Sequence, residues 1–281
     1  MILVTGATGT IGGEVARQLI AAGQKPRLLV RSPEKAKAFE GKAELFKGDL
    51  DDATALANAL KGIDKLFLVT AGLDGARLEA KAIDAAKAAG VKHVVKLSVA
   101  GAEYEAITFA KWHRGNEKKL EASGLAWTFL RPGNFMTNSV MSADTIKRDG
   151  AIYSPVGDGK SALVDPVDIG AVAVKALTTS GHEGKIYTLS GPVALSTQEQ
   201  ADIIGKAIGR PVKHVDVPPE AARDGMLKAG LPEGYVNALI ELYGVMKAGM
   251  TAAVSPDVEK VLGRKAGTFE AWVSRNAAAF K

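Results

Sequence analysis

The sequence predicts a doubly wound parallel α/β sheet followed by a smaller mixed α/β lobe at the carboxyl end, and three observations predict it. Short β-branched apolar runs alternate with helical patterns over roughly the first 130 residues. A glycine turn at Gly6, Gly9 and Gly12 joins the first of those runs to the first helix. After Pro132 the rhythm changes to short segments and a mostly helical tail, punctuated by Pro218-Pro219, Pro232 and Pro256.

Taken in order, the strand candidates are Ile2–Thr5, Arg27–Arg31, Ala43–Lys47, Lys65–Thr70, His93–Ser98 and Trp127–Leu130. Brief apolar runs of this kind, bounded by Gly, Pro or charge, read as strands buried on both faces. Helices fall between them, near 10–22, 33–39, 52–60, 74–89 and 109–123. Leu56 and Leu60 recur at helical spacing, as do Ile83 and Ala86. Strand–helix alternation implies right-handed βαβ units wound into an open sheet. Further on, Ile152–Pro155, Ala162–Val164, Lys185–Leu189 and Val212–Val217 read as short strands, with helices near 167–179 and 197–208. Asp165 and Pro166 look like a capped helix start, and Ser196 with Glu199 like a capping box. The expected division is a nucleotide-binding domain over 1–131 and a substrate lobe over 132–281, packed on the same body.

Composition narrows the chemistry. The 281 residues can bury a full core without staples. There is no cysteine, which excludes disulfides, thiol nucleophiles and cysteine-held metal clusters. The four histidines (His93, His113, His182, His214) have no metal-ligand spacing, so no metal is expected. The net charge of +5 is dispersed rather than gathered into a patch interleaved with aromatics, which argues against nucleic acid and suits an anionic small molecule. No apolar run approaches a membrane span, and Met1 leads straight into Ile2-Leu3-Val4 without a signal-like segment, so a cytoplasmic protein without membrane attachment is expected. A monomer and a homodimer both remain open.

The run Val4-Thr5-Gly6-Ala7-Thr8-Gly9-Thr10-Ile11-Gly12 is the dinucleotide fingerprint of a Rossmann fold. Gly6 permits the turn, Gly9 admits a diphosphate, and Gly12 lets the helix pack on the strand. Around them, Thr8, Thr10 and Ile11 complete the phosphate-facing turn. An acidic residue ending the second strand would select NAD; Arg31 stands there instead, and a guanidinium matches a 2′-phosphate, so NADP(H) is the expected cofactor. Asp49 and Leu50, after the third strand, would lie near the adenine; a cap for the helix beginning near Asp52 is a rival reading of Asp49, compatible with the first. Thr70, Ala71 and Gly72 would let the middle of the cofactor lie close.

With VTGATGTIG, LLVRSPEKA, KGDLDD, LSVAGA, SGLAWTFLRPGNFMTN and DPVDIGAVA in order along nearly its whole length, the sequence resembles the short-chain dehydrogenases, and most closely their atypical NmrA-like branch. That resemblance implies NADP(H), and a division between reductases, quinone reductases among them, and cofactor sensors without turnover. It also implies that Pro132, Gly133 and Asn134 line the nicotinamide. Typical members use Ser, Tyr and Lys, the Lys four residues after the Tyr. Ser98 is in place, but no Tyr-x-x-x-Lys precedes the sixth strand; His113 and Glu117 share one helical face there, similar to the substitution in NmrA-like reductases. Tyr243 and Lys247 have the spacing but lie far into the carboxyl lobe. Gly157-Asp158-Gly159-Lys160-Ser161 lacks the leading glycine of a phosphate loop, Ser154 occupying its place.

Hydride transfer survives the missing tyrosine, since a nicotinamide carries the hydride and the protein supplies position and electrostatics. A quinone needs little acid help, whereas a ketone's alkoxide needs a strong donor. The expected catalytic set is Ser98, as a hydrogen-bond donor, with His113 and Glu117, His113 either giving a proton near neutral pH or serving as scaffold. The expected function is NADPH-dependent reduction of a small quinone-like or aromatic acceptor. The alternative is a non-catalytic NADP(H) sensor acting through a protein partner.

Overall fold

The computed structural model describes residues 1–281. Along the chain run β1 (Ile2–Val4), α1 (Thr10–Ala21), β2 (Arg27–Val30), β3 (Glu44–Lys47), α2 (Ala53–Ala59), β4 (Lys65–Leu68), α3 (Gly75–Ala88), β5 (His93–Leu97), α4 (Thr108–Glu121) and β6 (Ala126–Pro132). The segment expected as a helix near 33–39 is a 3₁₀ helix, Pro33–Phe39. Next come α5 (Ala143–Asp149), β7 (Ala151–Ser154), β8 (Lys160–Ser161), α6 (Pro166–Thr178), β9 (Lys185–Leu189), β10 (Leu195–Ser196) and α7 (Thr197–Ile208). The chain closes with β11 (Lys213–Asp216), α8 (Pro219–Lys228), α9 (Glu233–Lys247), α10 (Asp257–Leu262) and α11 (Phe269–Asn276). No helix is long and apolar enough to cross a membrane.

Seven strands form one sheet in the order β3-β2-β1-β4-β5-β6-β9. β1 pairs in parallel with β2 on one side and with β4 on the other, Leu3 facing Arg27 and Leu66. The order therefore reverses at β1, and the crevice beyond the carboxyl ends of β1 and β4 is where open α/β sheets take ligands. On one face, Leu3, Leu66, Leu68, Val94 and Phe129 pack with Leu56, Ile83 and Leu120 of α2, α3 and α4. On the other, α6 lies against α1 so closely that a Cβ on Gly170 would sit 2.8 Å from Glu14 Cγ.

The chain divides into two compact units, one of residues Met1–Arg131 and Pro166–Thr188, the other of Pro132–Asp165 and Leu189–Lys281. One boundary falls after Arg131, and Pro166–Thr188 belongs to the first unit. Its reason is physical: α6 buries Ile169, Val172, Ala173 and Leu177, and β9 extends the sheet beside β6. The second unit has its own core, in which Ile152, Leu195, Ile204, Val212, Phe269, Trp272 and Phe280 meet. There, Ala162–Val164 is not a strand. The Ala162 N–H donates to Thr251 O and that of Val164 to Asn134 O, so pairing is confined to β8 with β10 and a single bridge from Val164 to Phe135. The Ser196–Glu199 capping box forms as expected, and the buried Asp165 carboxylate pairs with Arg275 of α11.

Candidate active site

Thr5 fixes how the chain leaves β1. Its hydroxyl accepts from the Val69 N–H at 2.8 Å and donates to Val69 O at 2.9 Å, stapling the ends of β1 and β4. The turn must follow at once, and Gly6 makes it with φ +61°, a left-handed conformation that side chains disfavour. The Gly9 N–H closes the turn on Gly6 O at 2.9 Å. A Cβ on Gly12 would lie 2.3 Å from Gly6 O and 2.6 Å from Thr5 O, so only glycine lets α1 begin this near the strand. No side chain caps α1 and no acidic residue enters its first turn. The N–H groups of Thr10, Ile11 and Gly12 therefore stand ready for an anion at the positive end of the helix. Ile11 contributes its N–H alone, its side chain being buried, while Thr8 and Thr10 are exposed around the turn. A cradle that a single Cβ would fill fits a dinucleotide diphosphate.

Past β2, the Arg31 side chain is 82% exposed and only loosely paired, 4.0 Å from Asp49 Oδ2. It is free to meet a 2′-phosphate. Asp49 accepts from the Asp51 N–H at 2.9 Å in its own turn, and the cap of α2 is Asp52, which accepts from Thr54 and Ala55. The capping alternative for Asp49 is thereby corrected, since the neighbour better placed for the first turn takes that role. Leu50 is half-buried against the core. After β4, the Thr70 hydroxyl turns inward to Gly75 O (3.2 Å) and Glu79 Oε1 (3.1 Å), leaving the backbone of Thr70, Ala71 and Gly72 along the rim.

Beyond β5 the structure builds a buried polar network between the sheet and α3 and α4. Period-two alternation puts Lys96 and Ser98 on the same face as Val94, and Arg131 on the same face as Phe129. Glu117 of α4, fully buried, accepts from Ser98 Oγ at 2.6 Å and from both prongs of Arg131 at 2.9 and 2.7 Å. Arg131 continues to Glu103 at 2.7 Å, and Arg114 bridges Glu117 to Glu121. Burial pushes the Glu117 carboxyl up, but the Arg131 and Ser98 hydrogen bonds and the charges of Arg131 and Lys96 outweigh it and hold its pKa below the usual carboxylate value. Beside this cluster, the fully buried Lys96 donates to Glu79 Oε2 (2.9 Å), Leu97 O (2.9 Å) and His113 Nδ1 (3.1 Å). Glu79 also accepts from Asn116 Nδ2 at 3.1 Å. Burial, with the Lys96 charge in support, holds the His113 pKa well below the ordinary imidazole value.

These distances give each residue of the expected catalytic set its partners. The Ser98 proton is engaged by Glu117, so this hydroxyl does not donate to a substrate in this arrangement. Glu117 is an ionised anchor for Arg131 and Ser98 rather than a partner of His113. His113 is neutral at neutral pH, with no extra proton to give, and Lys96 is what it touches. Sequence reasoning missed Lys96, Glu79, Asn116 and Arg131. A signal was available: Lys96 interrupts an apolar strand two residues before Ser98, and His113, Asn116 and Glu117 lie at i, i+3 and i+4 on one helical face.

The remaining residues singled out fall in the second unit. Pro132 ends β6, the Gly133 N–H donates to Leu189 O at 2.9 Å, and Asn134 Oδ1 accepts from Asn138 at 2.5 Å. On α9, burial and nearby Tyr235 raise the Tyr243 pKa, opposite to what an activating lysine does, and Lys247 reaches Asp216 at 3.5 Å. Gly157-Asp158-Gly159-Lys160-Ser161 is a packing loop, as a Cβ on Gly159 would lie 2.1 Å from Met246 O.

The sequence model of the NmrA-like family matches residues 1–273. The chain belongs to that family. Among NmrA-like and related proteins it is 42% identical to the NAD(P)H azoreductase of Xenophilus azovorans, covering 100% of this chain and 99% of that one. It is 32% identical to quinone oxidoreductase 2 of Escherichia coli, over 98% of both chains. The solved NADPH-dependent quinone oxidoreductase of Escherichia coli, in complex with NADPH, superposes with a TM-score of 0.88 at 30% identity, over 99% of both chains. The Citrobacter triphenylmethane reductase complexed with NADP(H) gives 0.86 at 29% identity, over 98% of this chain and 99% of that one.

Proposed function

We propose that this NmrA-like chain reduces a small quinone-like or aromatic acceptor by direct hydride transfer from NADPH. It is an NAD(P)H-dependent oxidoreductase with NADP(H) as cofactor. The observation that carries it is that none of the three expected catalytic groups on β5 and α4 is placed to release a proton near neutrality: Ser98 and Glu117 bind each other, and His113 is neutral.

When bound, the dinucleotide supplies the hydride; every other task falls to the chain. The N–H groups of Thr10, Ile11 and Gly12 would hold the diphosphate, and Arg31 would pair with the 2′-phosphate. Asp49 and Leu50 would hold the adenine end, and the backbone of Thr70, Ala71 and Gly72 would take the middle of the molecule. Arg131, Glu117 and Ser98 clamp α4 to β5 and β6, so His113 stands at a fixed place beside that rim. A quinone that takes a hydride becomes a stabilised phenolate, which water protonates. A ketone would give a far more basic alkoxide, with no acid among these groups to protonate it.

The test offers purified protein NADPH with a panel of quinones, azo dyes and simple ketones. Turnover of the first two without the third is expected. Ketone turnover would overturn the acceptor class, and tight NADPH binding without turnover of any acceptor would favour a cofactor sensor instead. Arg31→Ala should weaken NADPH about ten- to a hundredfold while leaving NADH nearly unchanged in titration calorimetry, because it removes only a charge-assisted contact to the 2′-phosphate. Equal loss for both nucleotides would remove Arg31 from that role.

A further inference from the structure

Lys96 is a buried cation on a strand that otherwise reads as core, and nothing in the proposed hydride transfer uses it. Its ammonium has three protons and no acceptor. The structure directs those protons to Glu79 Oε2, Leu97 O and His113 Nδ1. The third contact has a consequence. A nitrogen that accepts from an ammonium carries no proton of its own, so in a neutral ring the single proton must reside on Nε2. No hydrogen bond joins that Nε2–H to a protein group, and His113 as a residue is half-buried.

We propose that Lys96 is a positioning residue that fixes His113 as the Nε2–H tautomer, making it a permanently neutral hydrogen-bond donor toward the substrate side of the cofactor site. This rests on the reading of that rim as a reductase site. The other end of the chain supports it. Glu79 takes Thr70 Oγ1 at 3.1 Å as well as Lys96, so the rim segment that would follow the cofactor and the imidazole share one rigid connection.

The charges around His113 agree with a ring that stays neutral. From β5 comes the Lys96 ammonium, from α3 the Glu79 carboxylate already bound to it, and from the short turn before α4 the Glu103 carboxylate, bound to Arg131. On its own helix, Glu117 and Arg114 pair with Arg131, Glu121 and each other. No carboxylate is left over to stabilise an imidazolium, and the nearest charge is a cation. A neutral donor suits an acceptor whose oxygen or nitrogen gains charge during hydride arrival and is protonated afterwards by water.

Nitrogen-15 NMR of the full chain with bound NADP tests this, with the His113 signals assigned by their absence in His113→Gln. The expected result is a pyridine-type Nδ1 and a protonated Nε2, unchanged between about pH 5.5 and 8, where an ordinary histidine titrates. A protonated Nδ1, or an imidazolium at pH 6, would overturn the proposal without reference to turnover. In Lys96→Met the tautomer preference should disappear and an ionisation should enter the spectrum in that range. With quinone as acceptor, kcat should fall about tenfold, the scale of losing a group that orients a site residue, while KM for NADPH stays within about twofold. An unchanged tautomer and pH profile in Lys96→Met would also overturn it. If that variant does not fold, Lys96→Met/Glu79→Gln, which removes both buried charges, is read in the same way. Absence of turnover in the wild type alongside the expected spectrum would sink the reductase reading and leave the role of Lys96 standing.

Discussion

The two faces of strands β5 and β6 bury polar groups in opposite ways. On the face that meets the loop after α6, Thr128 has one proton and gives it to His182 O at 2.6 Å, so it accepts from His93 Nε2–H at 2.9 Å. That chain is neutral throughout and leaves His93 Nδ1 buried without a partner. On the α4 face the same two strands bury Lys96, Arg131, Glu79 and Glu117, and each of these charges has an opposite charge within 3 Å. The difference teaches what each kind of burial tolerates. A neutral imidazole can leave one acceptor unmatched at modest cost, whereas an unmatched buried charge is prohibitive. The ionic network therefore fixes geometry, holding α4 and His113 beside the rim where the cofactor is expected; the neutral one only fills space between strands.

The largest expected effect breaks the ionic side. Glu117→Ala leaves Arg131 buried with only Glu103 to face it and deprives Ser98 of its acceptor. Removing one partner of a buried pair costs about 3–5 kcal/mol, and for a chain of this size that is on the order of 10 °C in Tm. A calorimetric shift below about 2 °C would mean that water already relaxes the pair.

The neutral side is probed by pH. Burial, with a smaller contribution from Lys65, lowers the His93 pKa from 6.5 to about 4. Between those values the unfolded chain binds a proton that the folded chain refuses, so stability rises with pH there. The contribution is complete above pH 6.5 and is lost as pH falls toward about 4. His113 and His182 are also lowered by burial and act in the same sense. Wild-type Tm should drop by several degrees from pH 7 to pH 5, and His93→Leu should recover part of that drop. An identical pH dependence in His93→Leu would show that the orphan imidazole carries none of it.

Much of one side of this comparison could be read before the structure, and little of the other. The six strands from Ile2 to Leu130 were legible to within two residues at each end because Gly, Pro or charge bounds each apolar run, and the glycine turn because its constraints are local: a Cβ on Gly12 would clash with atoms six and seven residues away. Lys185–Leu189 was legible as a strand but not as a member of the first sheet, since periodicity declares a strand and not its neighbours. The polar network was hidden for the same reason. Lys96 meets Glu79 and His113 across 17 residues in each direction, and Arg131 reaches back to Glu117. Ser98 and His113 were found through resemblance to a catalytic pattern, which made Ser98 a hydrogen-bond donor and His113 a proton donor or scaffold; the contacts of Ser98 with Glu117 and of His113 with Lys96 are not part of that pattern.

The smallest expected effect is the sharpest on that point. Ser98→Ala removes one hydroxyl from Glu117, which keeps both prongs of Arg131. A single hydrogen bond to a charged acceptor contributes about 1.5–3 kcal/mol, and the truncated site can recover some of it by closer approach of Arg131. Tm should fall by only a few degrees. If the serine proton belongs to Glu117, quinone turnover should stay within about threefold of wild type, well short of the 10²–10³ lost when a donor to developing charge is removed. A hundredfold loss of kcat with intact NADPH binding would return Ser98 to the reacting atoms. The Glu117 contact would then be a resting arrangement that the substrate displaces, and the ionic side of the sheet would be a store of donors rather than a clamp.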